Sequence, residues 1–133
     1  MTRKDLSHHL ALREDLAKAQ KRLKRLYDKA YPGAQKLSGM PHASGISDKV
    51  GDLGIEIADY ETFVDELKRE VEQSAKEVAA FIATIDDPNI RLYFRLYYLR
   101  GMVWKQVADC CGEDISESTV KNEVYKWARK NNF

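Results

Sequence analysis

Cysteine is almost missing from this sequence. The two present, Cys110 and Cys111, are neighbours, which leaves no disulfide framework and no pair spaced to hold zinc. Cys111 is expected to pack as a small hydrophobe. Histidine is scarce too, and His8, His9 and His42 fit no metal spacing, so all three are expected at the surface. No apolar run approaches the roughly 20 residues that cross a bilayer, and the charged start "MTRKDLSHHLALREDL" has no signal-peptide core. These absences point to the cytoplasm. Nor is there a Ser/His/Asp set, a carboxylate pair in an identifiable pocket or a phosphate loop. "GISDKVG" lacks the Gly-Lys-Ser/Thr order of a Walker motif. An enzyme is not expected, and neither is a cofactor or a bound metal.

What is present suits a globular chain: 133 residues, 44% hydrophobic and 32% charged, enough apolar surface to exclude disorder over most of the length. The net charge of +1 hides an uneven distribution. Residues 2–31 hold nine Lys/Arg against four Asp/Glu, residues 32–88 five against twelve, and residues 89–133 eight against five. A basic segment followed by an acidic one predicts two helices that pair, with a mildly basic module after them.

Leu12, Leu16, Ala19, Leu23, Leu26 and Ala30 recur at steps of four and three, a heptad seam on one helix face that Pro32 and Gly33 stop. The segment "PGAQKLSGMPHASGIS" reads as an ordered loop, after which Ser47 or Asp48 can cap a second helix. There Leu53, Ile57, Tyr60, Val64, Leu67, Val71, Ser74, Val78, Phe81 and Ile85 continue a pattern begun at Val50, with Ser74 its one polar member and neither glycine nor proline after Gly54. A helix over roughly 50 Å long with one apolar seam needs a partner. The expected partner is the first helix, in an antiparallel coiled-coil hairpin over residues 1–85, with helices at about 3–31 and 48–85. Gly51 and Gly54 are expected to let Ala30 and Tyr31 pack closely. Ile55, Phe63 and Ile82 lie off the seam, a surplus that predicts docking of the last module, at least at Ile82, or self-association.

Residues 86–133 predict three more helices. Asp87 before Pro88 starts one that runs to about Leu99 and ends at Gly101, with Leu92, Leu96 and Leu99 facing the core and Arg91 and Arg95 outside. In "WKQVADCCGEDISESTVKNEVYKW" a short helix carries Val107, Ala108 and Cys111 on one side. Ala108 suits a steep helix crossing, and Gly112 supplies a positive φ. Ile115 then plugs the core, Ser116 caps the last helix, and Val120, Val124 and Trp127 face inward. The opposite face presents Ser118, Thr119, Lys121, Asn122, Tyr125, Lys126 and Arg129, followed by Lys130. Asparagine can bond adenine in pairs, and lysine can read guanine or neutralise phosphate. Glu117 and Glu123 suit phosphate less, though glutamate can accept from cytosine.

"LYYLRGMVWKQVADCCG" with "ISESTVKNEV" resembles the promoter-reading C-terminal helix-turn-helix of sigma factors. The likeness rests on Leu96, Tyr98, Gly101, Trp104, Val107, Ala108, Gly112, Ile115, Ser116, Thr119 and Val120. With the preceding hairpin and "LSGMPHASGISDKVG", the chain is similar to small phage and prophage sigma-factor-like proteins of Gram-positive bacteria, the ArpU- and RinA-type late transcription regulators and uncharacterised relatives. That resemblance implies an all-α fold, a long helical hairpin before a sigma-like helix-turn-helix module, and a regulator that binds double-stranded DNA inside a bacterial cell. RNA polymerase and a second copy of the chain, in a dimer or higher oligomer formed through the helical hairpin, are further expected partners, and no membrane is. Glu113 and Asp114 depart from the sigma pattern by lengthening the turn between Gly112 and Ile115. Two other functions fit the same elements: a DNA-packaging oligomer like a small terminase subunit, and an adaptor whose hairpin binds a regulator.

Overall fold

The structure, a computed structural model, describes residues 1–31 and 53–133. Among the described residues the chain is helical without a strand. The helices are α1 (Arg3–Ala30), α2 (Gly54–Ala83), α3 (Pro88–Phe94, continued by a π-helical segment, Arg95–Leu99), α4 (Trp104–Cys111) and α5 (Glu117–Lys130). No helix among the described residues is long and apolar enough to cross a membrane. Two compact units form: residues 1–12 with 71–133, and residues 13–70.

Helix α1 starts at a reciprocal cap. The Asp5 carboxylate accepts from the Thr2 backbone N–H at 2.7 Å, and the Thr2 hydroxyl accepts from the Asp5 N–H at 3.3 Å. The Thr2 bonds hold the Asp5 carboxyl below its usual range. Every expected seam residue of α1 is buried or half-buried, and the seam begins earlier than expected, at Leu6 and His9. His9 therefore corrects the surface expectation, since it is fully buried, whereas His8 is exposed and His42 lies outside the described residues. Its Nδ1 bonds the Ser74 hydroxyl at 2.8 Å. The one polar residue of the α2 seam thus meets the one imidazole of the α1 seam. A buried hydrogen bond of this kind forms in a single register, so it selects that register against slipped ones.

Helix α2 buries or half-buries each described seam residue from Leu53 to Ile85. Of the expected 48–85 span, residues 48–52, with Ser47 and Val50, lie outside the described residues, as do Pro32, Gly33 and the 33–47 loop. The α-helix stops at Ala83 rather than Ile85, because Thr84 and Ile85 tighten into i→i+3 bonds on Phe81 and Ile82. Gly54 does not provide the expected close approach: a side chain there would meet nothing within 4 Å. Gly51 lies outside the described residues. Ile55 and Phe63 are exposed, while Ile82 is fully buried.

Asp87 caps α3 by accepting from the N–H groups of Asn89 (2.9 Å) and Ile90 (3.4 Å), with Pro88 in the first turn. Arg91 does not join Arg95 outside. Its guanidinium donates to the carbonyls of Ile85 (2.7 Å) and Asp86 (3.2 Å), satisfying acceptors freed where α2 ends. The expected leucine face is corrected at Leu92, which is exposed; Leu96 and Leu99 pack half-buried against the core, which Ile90, Tyr93, Phe94 and Tyr98 enter more deeply. Aromatic rings bury more apolar area than leucine, so the aromatic face wins. Phe94 meets Tyr98 and Trp127 edge-on, each at 5.4 Å between centroids.

The π turn, closed by Arg100 N–H on the Arg95 carbonyl, rotates the following side chains. Tyr97 then stacks on Trp104 at 3.9 Å. The segment ends at Gly101 (φ 75°), where Met102 N–H returns to the Leu96 carbonyl. Burial pushes the Tyr98 phenol up to about 12 and raises Tyr93 as well. Because the folded state holds these protons more tightly, their stabilisation is intact below pH 10 and is lost as pH rises from 10 towards 12. For Tyr98 the loss amounts to about 2 kcal/mol. Urea midpoints measured between pH 8 and 11.5 should fall above pH 10, and Tyr98→Phe should flatten part of that fall.

Candidate nucleic-acid interface

Helices α4 and α5 pack on each other, and α3 packs on α5. Val103 precedes α4 in extended conformation, and its N–H is held by the Gln106 side chain at 3.0 Å. Val107 and Ala108 are buried and Cys111 is half-buried. Burial pushes the Cys111 thiol up, as expected of a packed thiol. The helix ends at Gly112, whose φ of 141° is closed to residues with a side chain even though the surrounding space is open. Glu113 and Asp114 form an exposed turn, and Ile115 returns half-buried against the core.

Ser116 caps α5. Its hydroxyl accepts from the Thr119 N–H at 3.2 Å and lies 2.9 Å from the Thr119 hydroxyl. Ser116→Ala should cost about 1 kcal/mol, read as a lower thermal midpoint. Val120, Val124 and Ala128 are buried, and Trp127 is half-buried against Phe94 and Phe133. Ala128 completes the inward stripe; its small side chain gave no signal by type, and only its place four residues after Val124 could have marked it.

Of the eight candidate residues, Ser118, Thr119, Asn122, Tyr125, Lys126, Arg129 and Lys130 are exposed, while Lys121 is half-buried. They are not equivalent. Lys121 is paired with Glu117 at 3.2 Å, and the Thr119 hydroxyl is engaged in the cap. Lys126 and Lys130 line a groove of about 840 Å³ that also carries Asp86, Asp87 and Glu123. Ser118, Asn122, Tyr125 and Arg129 stand outside that groove.

One of the two glutamates proves to be occupied: Glu117 pairs with Lys121. The positive charge of α5 is therefore concentrated on Lys126, Arg129 and Lys130 in its second half. Lys105, exposed on the first turn of α4, was not among the candidates; its place directly after the helix start was the available signal. Among the described residues no group of three or more His, Cys, Asp or Glu could hold a metal ion. No family model, curated protein or solved structure matches the chain.

Proposed function

We propose that this protein is a sequence-specific, double-stranded DNA-binding transcriptional regulator of the phage sigma-like kind. In this reading residues 86–133 are a helix-turn-helix module that lays α5 in the major groove. The observation that carries the proposal is the division of α5. Val120, Val124 and Ala128 are buried on one side, while Ser118, Asn122, Tyr125, Lys126 and Arg129 stand exposed on the other. Around it lie the parts such a module requires: a buried methyl-sized residue on α4, Ala108, a glycine with positive φ after α4, and a capped start to α5. In a recognition helix the first turns face base edges, which assigns Ser118 and Asn122 to the bases and Arg129 and Lys130 to phosphates.

Helices α1 and α2 are proposed to form an antiparallel coiled-coil hairpin. Both carry seams of alternating three- and four-residue steps, and partner numbers fall along α2 as they rise along α1, from His9–Ser74 to Tyr27–Glu61.

Selection of the full chain against a pool of random duplexes tests the proposal. A discrete motif should be enriched. Asn122→Ala should then relax the preference at one base pair without changing the salt dependence, since a base contact releases no counterion. A pool that after several rounds is no different from the input would count against the proposal.

A further inference from the structure

Within the unit of residues 13–70, the Tyr27 hydroxyl donates to Glu61, and a groove of about 420 Å³ marks that side of the helix pair, lined by residues that include Gln20, Lys24, Tyr27, Glu61, Asp65 and Lys68. At about 100° per residue, the other side of α1 carries Lys18, Arg22, Arg25 and Lys29, and the other side of α2 carries Asp59, Phe63, Glu66 and Glu70. All eight are exposed. Counting outward from the Tyr27–Glu61 contact sets Lys29 level with Asp59, Arg25 with Phe63, Arg22 with Glu66 and Lys18 with Glu70. One column is basic throughout, and the other is acidic with a single phenylalanine, 47% exposed. No ion pair among the described residues joins the columns; Lys18 bonds Glu14 of its own helix at 3.3 Å.

We propose that this two-column face docks a second copy of the chain, about a twofold axis parallel to α1 and α2. A nucleic-acid backbone is a poor occupant, because Asp59, Glu66 and Glu70 stand level with Lys29, Arg22 and Lys18. A uniformly basic partner meets the same obstacle from Lys18, Arg22, Arg25 and Lys29. The matching surface must carry both signs with the columns exchanged. Rotation by a half-turn about the helix direction produces that surface from this one, whereas a twofold across the helices sets like charges together. The interface is isologous, as most soluble dimers are. Phe63 of each copy then lies against the guanidinium of the other's Arg25, an arrangement that aromatic quadrupoles favour. The proposal stands independently of what α5 binds.

Sedimentation equilibrium of the full chain at about 0.1 M salt, where exposed charges are felt over roughly 10 Å, tests it. The natural chain should form a dimer. Arg22→Glu with Lys29→Glu, and separately Asp59→Lys with Glu66→Lys, should each weaken the dimer at least about a hundredfold with unchanged helical circular dichroism. Mixed in equal amounts, the two variants should associate again as a heterodimer. The proposal is overturned by a natural chain that stays monomeric, by a dimer indifferent to both reversals, or by variants that do not recover on mixing. A monomer that loses duplex affinity on Arg22→Glu with Lys29→Glu would assign the face to nucleic acid instead, and overturn it too.

Discussion

Lys126→Glu combined with Arg129→Glu should reduce affinity for the selected duplex at least about a hundredfold while leaving helical content unchanged. Both residues are exposed on α5, and neither belongs to the core cluster of Phe94, Val107, Val120 and Val124. Reversal therefore removes charge from the surface without opening a cavity. Each phosphate neutralised releases close to one counterion, so the slope of log affinity against log salt should become shallower by about two for the pair. Lys121→Glu should do less than either, because Lys121 is half-buried and already spends its charge on Glu117. Filter binding from about 50 to 200 mM salt measures all three variants. An unchanged slope would remove Lys126 and Arg129 from the contact surface.

Phe94→Ala should destabilise the fold by about 3–5 kcal/mol, the range for deleting a buried aromatic ring, and lower the thermal midpoint by more than about 10 °C. Phe94 is 1% exposed and touches rings from three directions: Tyr98 on its own side, Trp127 from α5 and Phe133 at the chain's end. Removing it leaves a cavity under the helix proposed to contact DNA. Leu92→Ala is the contrasting change. Leu92 was expected in the core and is 43% exposed, so its loss should stay within about 0.5 kcal/mol. Urea titration of the two variants compares the leucine face with the aromatic face directly, and similar losses would contradict the observed packing.

Those two residues also show where sequence reasoning stops. Period carries far: the seams of α1 and α2, the Asp87 and Ser116 caps, the positive φ of Gly112 and the inward stripe of α5 all follow from spacing and residue type. Period cannot choose between two apolar faces of one short helix. Leu92, Leu96 and Leu99 compete there with Tyr93, Phe94, Tyr97 and Tyr98, and spacing foretells neither the π turn at Arg95–Leu99 nor the stacking of Tyr97 on Trp104. His9 was misplaced for a related reason. A histidine three residues before Leu12, where the expected seam starts, is polar by type, and the Ser74 hydroxyl that bonds its Nδ1 lies 65 residues away. For the candidate site, exposure was legible and allocation was not. The engagement of Lys121 by Glu117 and of Thr119 by Ser116 depends on side-chain geometry that spacing leaves open.

The most direct test of the outer face of α5 as a DNA-reading surface is residue-resolved amide and side-chain NMR during titration with the selected duplex. The expected shifts cluster at Ser118, Asn122, Tyr125, Lys126 and Arg129, with smaller ones at Lys105 and little change at Val120, Val124 or Phe94. Saturable binding whose shifts fall on α1 or α2 while α5 stays unperturbed would contradict it.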